Sequence, residues 1–535
     1  MLAVRPPETH SLTTADGVRL DADVYRPEAP GEYPVLLMRQ PYGRRIASTV
    51  VYAHPSWYAS HGYVVVIQDV RGRGTSEGTF QLFASETEDG AASVAWAAQL
   101  PGSSGQVGMY GFSYQGMTQL YAAAARPAAL RTLCPAMCVR DPYSEWAYHN
   151  GALCLENTLS WAIQLSAESA RLARDPERFR ALQRLAQAPP YGDPQPLGTL
   201  DPESFWHQWL AHPTRDPYWH SLTPDLSQVD LPMLHIGGWW DPYWRGTLSL
   251  YQERCHHSTA PQHLWVGPWP HLPWGRHLHQ LDFGAAAVSP IDQVQIRWFD
   301  QVLKGIDTGL WQEDAVHLYV VGEGQGKGHW RSFPTWPQPP SQRWFLQGQG
   351  LAAIQGGSLS PLPSEVGIPD VVVHDPWRPV PSRAFGWDRA AIDGRSDVLT
   401  YTTDPLEQDV ELWGSPVLRL WIVCDHPSWD LSATLSYVLP AGAVFALSQD
   451  YGRWSHPPNA AAHPITLTLS AIGARIGAGS SLRLSLSASQ FPAYPVNDGQ
   501  GSPLPEWIDL PVITIQVCRG ELDLPWSPVV SDRDP

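Results

Sequence analysis

Val107-Gly108-Met109-Tyr110-Gly111-Phe112-Ser113-Tyr114-Gln115-Gly116 decides the reading of this 535-residue chain. A short apolar strand runs into a serine flanked by glycines, and a helical run, Met117 to Ala125, follows. Serine is a poor nucleophile unless its hydroxyl is exposed and within reach of a base. A sharp strand-to-helix turn supplies the exposure, and the helix N-terminus supplies a positive field for an incoming oxyanion. The literal G-x-S-x-G pattern of such an elbow lies elsewhere, at Gly74-Thr75-Ser76-Glu77-Gly78. Ser76 follows the strand Val64 to Ile67 but sits in a polar loop with no helical run directly after it. Context therefore favours Ser113 as the nucleophile, over Ser76 and over an ordinary helix N-cap serine.

Outward from the elbow, the first 137 residues alternate strand and helix. Val35-Leu36-Leu37-Met38 and Tyr63 to Val70 read as buried strands, Glu88 to Gln99 as a helix, and Thr132-Leu133-Cys134 as the next strand. This rhythm implies a mostly parallel sheet with helices on both faces. Strands return at Pro232 to Ile236, His263 to Val266 and Val316 to Val321, completing an α/β unit over 1–137 and 230–340. The intervening 138–229 read as helical, a cap over the sheet edge. Asp175-Pro176-Glu177 and Asp201-Pro202-Glu203 each suggest an N-cap with proline at the first helical position. Phe205, Trp206, Trp209 and Leu210 then share one helix face. From 341 to 535 short strand candidates recur without convincing helices, as at Leu418 to Val423, Ala433 to Val438 and Leu482 to Ser487. That pattern is a β sandwich or jelly roll.

An elbow serine needs a histidine base and an acid to orient it, in the chain order Ser, Asp or Glu, His. Both should stand just beyond the carboxyl ends of sheet strands. Met233 to Ile236 leads through Gly237-Gly238-Trp239-Trp240 to Asp241, and His263 to Val266 leads through Gly267-Pro268-Trp269-Pro270 to His271. His277 and His279 are rivals farther from the strand end, and Asp241 also suits an N-cap before Pro242. The Tyr114 backbone N–H, next after the serine, would be one oxyanion donor. The loop after the first buried strand, Arg39-Gln40-Pro41-Tyr42-Gly43, offers the Tyr42 hydroxyl as a second, with a packing tyrosine as its plainer reading.

Composition narrows the partners. The formal net charge is −17 and there is no basic run, which argues against a nucleic-acid surface. No apolar stretch reaches membrane-span length, and the first residues lack a basic-then-apolar signal pattern. A cytoplasmic protein is expected. The six cysteines are scattered without metal-ligand spacing and read as free thiols. No metal and no organic cofactor is called for. Tryptophans crowd the acid and base loops and the cap. Trp146, Trp161, Trp240 and Trp269 are the candidates for an apolar substrate pocket, with core packing as the alternative.

These pieces together resemble the cocaine-esterase-like serine hydrolases, grouped with Xaa-Pro dipeptidyl peptidases and α-amino-acid ester hydrolases. The matching segments are Pro41-Tyr42, Asp69-Val70-Arg71-Gly72-Arg73-Gly74-x-Ser76-Glu77-Gly78, Gly111-x-Ser113-Tyr114-x-Gly116, Gly238-Trp239-Trp240-Asp241 and Gly267-Pro268-Trp269-x-His271. Trp298-Phe299-Asp300-x-x-Leu303-Lys304-Gly305 and Asp397-Val398-Leu399-x-Tyr401-Thr402 add two more. The late glycine at Gly116 is similar to the family's own form of the elbow. The resemblance implies an α/β-hydrolase fold with a helical cap and a C-terminal jelly roll of the galactose-binding-like kind. It implies Ser113, His271 and Asp241 as the triad, Tyr42 and Tyr114 as the oxyanion hole, and a scaffold role for Ser76. It also implies a small-molecule acyl ester or amide as substrate and leaves a homo-oligomer open. Within the family, binding of an α-ammonium needs carboxylates near the acid. Pro242-Tyr243-Trp244 provides none, and Glu145 and Glu156 in the cap are the remaining candidates. Carboxylesterase is the leading expectation, with an Xaa-Pro dipeptidyl-peptidase-type aminopeptidase or an α-amino-acid ester hydrolase as the alternative. A non-catalytic binding protein is the third reading.

Overall fold

Val64-Val65-Val66-Ile67 is apolar without alternation, the pattern of a strand covered on both faces. In the computed structural model it lies at the heart of a ten-stranded sheet. The structure describes the chain except residues 47–48, 194, 323–327, 364–366, 507, 509 and 529–535. The sheet strands are β1 (Glu8–Thr13), β2 (Arg19–Tyr25), β3 (Tyr33–Gln40), β4 (Val64–Asp69), β5 (Ser103–Phe112), β6 (Leu130–Ala136), β7 (Met233–Trp240), β8 (Gln262–Pro270), β9 (Val316–Gly322) and β10 (His329–Phe333). Their spatial order is β1-β2-β4-β3-β5-β6-β7-β8-β9-β10. The pairs β1–β2, β2–β4 and β9–β10 are antiparallel and all the others parallel. Helices α1 (Glu86–Ala97) and α2 (Tyr114–Ala124) belong to the crossovers on either side of β5. This is the mostly parallel sheet that the strand-helix rhythm predicts, in the α/β-hydrolase arrangement that the resemblance implies.

Between β6 and β7 the chain forms the helical insertion, led by α3 (Leu155–Leu172), α4 (Pro176–Gln187) and α5 (Phe205–Ala211). The Asp175 side chain accepts from the Arg178 N–H at the start of α4, the cap the sequence predicts. The second cap differs. Helix α5 begins at Phe205 with Ser204 at its N-cap, and Asp201 instead closes a turn by accepting from the Ser204 N–H. Trp206 and Trp209 of α5 are buried, while Phe205 and Leu210 are half-buried. Helix α6 (Trp244–His257) follows the acid loop.

The last third is a two-layer β unit. One layer pairs Ser341–Gln347, Gly357–Ser360, Val398–Thr402, Ser481–Ser487, Ser428–Val438 and Val444–Ser455 in that order. The other runs from His463–Thr468 through β11 (Val417–Cys424) to the long β13 (Ile513–Pro528), whose far edge takes Asp370–His374. In β11 every second residue is buried, the mark of a sheet with one face inward. One helical turn, Ala390–Asp393, interrupts the strands. The β unit is joined to the parallel sheet through β12 (Ile472–Ile476), where Val321 of β9 pairs with Ala474. Trp239, Trp244 and Val266 share one continuous apolar core with Leu418, Leu420 and Ile515.

Candidate active site

Ser113 stands between β5 and α2 with φ 59° and ψ −127°. Few non-glycine residues hold such a backbone, and the strain is a feature of functional turns. Local packing explains the late glycine. A Cβ on Gly116 would lie 2.7 Å from the Cys138 Cβ, so position 116 has no room for a side chain. Gln115 has room, and its Oε1 accepts from the Phe112 N–H, tying the helix start back to the strand end. Tyr114 is the first residue of α2, so its N–H has no intrahelical acceptor. Its ring is anchored from below: the Tyr114 hydroxyl donates to Glu86 Oε1 at 2.7 Å, and Arg39 Nη1 donates to Glu86 Oε2 at 2.6 Å. Ser76 is occupied otherwise. Its hydroxyl donates to the Asp69 carbonyl and accepts from the Asp21 N–H, as a loop scaffold does.

The strand register brings acid and base together. Trp240 of β7 pairs with Pro270 of β8, so Asp241 and His271, each one residue further, leave neighbouring strands side by side. His271 Nδ1 lies 2.7 Å from Asp241 Oδ1. The Asp241 carboxylate is fully buried and the imidazole about one quarter exposed. Burial raises the Asp241 pKa, while the His271 hydrogen bond and charge and the Tyr243 backbone N–H oppose that rise. The engaged Nδ1 leaves Nε2 as the working nitrogen. The ring packs against Phe112, the residue immediately before Ser113, with centroids 5.4 Å apart, and against Tyr243 at 5.1 Å. His277 and His279 lie in and beside the short strand His277–Leu278; His277 faces Asp282 and His279 stacks on Trp387.

Tyr42, on the loop after β3, has the Ser113 side chain close enough to influence its phenol. Its hydroxyl also accepts from Trp161 Nε1 at 3.1 Å. Burial pushes the phenol pKa up to about 12, so it stays a neutral O–H donor across the ordinary pH range.

A cavity of about 390 Å³ opens beside Asp241, where the sheet, the cap and the β unit meet. Trp146, Trp240 and Tyr243 line it, with Phe385, Gln449 and Asp450 from the β unit. Trp146 stacks on Trp161 at 4.8 Å, and Trp240 stacks on Phe283 at 5.0 Å. Trp269 is a correction to the substrate-pocket expectation. It is fully buried, donates from Nε1 to the Ala287 carbonyl and stacks on Trp274. Its ring folds back over Gly267, where any Cβ would lie 2.3 Å away, so it serves the core. Glu145 is also structural: its Oε2 accepts from the Arg140 and Asp141 N–H groups. Sequence reasoning passed over Tyr243 as a residue facing His271. Its place two residues after the acid was the available signal.

Among the described residues no cluster of three or more His, Cys, Asp or Glu is arranged to hold a metal ion, and no helix is long and apolar enough to cross a membrane.

Residues 16–273 match the model of the X-Pro dipeptidyl-peptidase (S15) family, and residues 309–505 match the C-terminal non-catalytic domain of that family. The chain is 30% identical to the cocaine esterase of Rhodococcus sp. (strain MB1 Bresler), over 91% of each chain. It belongs to the cocaine-esterase-like serine hydrolases. Two solved structures show how far the fold of these hydrolases extends. An aminopeptidase from the marine sediment archaeon Thaumarchaeota archaeon superposes with a TM-score of 0.82 at 21% identity, covering 97% of this chain and 96% of its own. An α-amino acid ester hydrolase superposes with a TM-score of 0.77 at 22% identity, covering 98% and 97%. As a cocaine-esterase-like hydrolase the chain is an enzyme of the serine hydrolase class.

Proposed function

We propose that this serine hydrolase cleaves small, neutral acyl esters through a Ser113-His271-Asp241 triad. The observation that carries the reading is the Asp241–His271 hydrogen bond, formed beside Phe112 and hence beside the strained Ser113 turn. Ser113 Oγ attacks the acyl carbonyl, and His271 Nε2 takes its proton and delivers it to the departing alcohol. Asp241 fixes the tautomer and steadies the imidazolium. The Tyr42 O–H and Tyr114 N–H receive the oxyanion. Water then attacks the acyl-enzyme with His271 again as base. Aromatic walls at Trp146 and Trp240, the first backed by Trp161, suit an apolar acyl or alcohol group.

The division into a hydrolase domain (1–137 and 230–340), a cap (138–229) and a jelly-roll domain (341–535) belongs to the same reading. So does a cytoplasmic location, which the six unpaired thiols suit.

Ser113→Ala should abolish turnover of p-nitrophenyl acyl esters while leaving the circular dichroism spectrum unchanged. A fluorophosphonate probe should label the native enzyme at Ser113 and not the variant. Retained activity, or labelling at another residue, would refute the assignment. One observation favours a second reading. Glu156 is half-buried in the cavity wall, its pKa raised by burial, with no cation paired to it among the described residues. Such a carboxylate suits a substrate ammonium. Faster hydrolysis of dipeptidyl anilides than of acyl esters would move the assignment to an aminopeptidase.

A further inference from the structure

The cap helix α3 reaches the chemistry through Trp161. Trp161 Nε1 donates to the Tyr42 hydroxyl at 3.1 Å. An indole N–H is only a donor, so the phenolic proton cannot point toward Trp161. It is free to turn toward Ser113, which lies beside the phenol, and toward whatever oxyanion forms there. A hydroxyl that accepts a hydrogen bond is also polarised into a stronger donor.

The indole is held on all sides. It stacks on Trp146, with Phe205 at 4.9 Å. The helix beneath it is pinned from the hydrolase side. Arg73 Nη1 donates to the Leu165 carbonyl at 3.2 Å and to Ser169 Oγ at 3.1 Å. These positions lie four and eight residues beyond Trp161 on the same face of α3. Arg73 is 2% exposed, and its guanidinium lies 3.8 Å above the Phe80 ring with no carboxylate in ion-pair contact among the described residues. Burial draws its pKa down to about 10, which still leaves it cationic at neutral pH. An unpaired buried cation is costly. Its position, locking the indole-bearing helix and adding positive potential near the phenol, gives that cost a use.

We propose that Trp161 and Arg73 are positioning residues for the oxyanion hole: the Trp161 N–H aims and strengthens the Tyr42 O–H, and Arg73 clamps α3 so that it does. This rests on Tyr42 acting as the oxyanion donor. The cap is then a part of the catalytic geometry as well as a cover, because moving α3 away disarms Tyr42.

A mutant cycle on p-nitrophenyl acetate tests the inference. Tyr42→Phe should lower kcat by about 10²–10³-fold, as loss of an oxyanion donor does. Trp161→Phe keeps an aromatic ring and removes the N–H. It should lower kcat roughly tenfold with KM nearly unchanged. In the Tyr42→Phe background the same change should cost nothing further. Arg73→Met, which leaves the pocket wall intact, should also lower kcat several-fold, with partial recovery in Arg73→Lys. Losses that multiply in the double variant, or a Trp161→Phe effect confined to KM, would make Trp161 a pocket wall and overturn the inference. If Trp161→Phe does not fold, wild-type kcat in Arg73→Met would overturn it. Failure of fluorophosphonate to label Ser113 in the native enzyme would instead sink the underlying hydrolase assignment.

Discussion

At Ser113 the backbone is held at a positive φ that its side chain does not favour, and the neighbours enforce it. Gly116 lets α2 approach Cys138 closely, and Gln115 staples the turn to Phe112. Gly116→Ala should therefore displace the elbow and cost about 1–3 kcal/mol, as overpacking does. Its fluorophosphonate labelling rate should fall more than its melting temperature, because the serine turn gives way first. Cys138→Gly, by removing the opposing Cβ, should restore part of the rate. The elbow was legible in the sequence because its signals are local: an apolar strand, small residues and an alanine-rich helix. The fate of Trp269 was not. Its direction depends on the space above Gly267, and aromatic clustering along the chain looks alike whether the rings face a cavity or the core.

Among the elements, the ties that matter converge under the elbow. Glu86, in the first turn of α1, joins Arg39 of β3 to the Tyr114 hydroxyl of α2. Arg39 is fully buried and Glu86 nearly so. Removing one member of a buried pair strands the other's charge. Glu86→Ala should accordingly cost about 3–5 kcal/mol in urea unfolding. Any folded fraction should show slower acylation, since Tyr114 loses its anchor. The pairing of Asp241 with His271 was readable because both end a strand and parallel neighbours carry their loops to one edge. The start of α5 was misread for a physical reason. Asp-Pro suits both a helix start and a turn, and here Asp201 closes a turn with Ser204 while the helix waits three residues more.

Over the whole molecule, burial of neutral imidazoles sets an acid limit. His235 and His263 lie inside the parallel sheet, and burial lowers both pKa values from the usual 6.5 to about 4. Between those pH values the unfolded chain binds protons that the folded chain refuses, so stability rises with pH through that window. It should be complete above about pH 6.5 and fall as the pH drops toward 4, by on the order of 3 kcal/mol for each histidine. Urea midpoints at a series of pH values would show the slope, and His235→Gln with His263→Gln should flatten it. The α/β unit, the cap and the β unit were all foreseen, because strand-helix alternation, then a helical stretch, then recurring short strands are written into the chain. The junction between them was not, because it depends on contacts far apart in sequence. There β9 continues past its own sheet to pair with β12, and Trp244 Nε1 donates to the Ala471 carbonyl. The seam between the two halves is thus stitched by backbone and sealed with indole rings. An engineer who trims the enzyme to its hydrolase portion would leave a raw strand border and a greasy flank open to water, next to the loop that carries the acid.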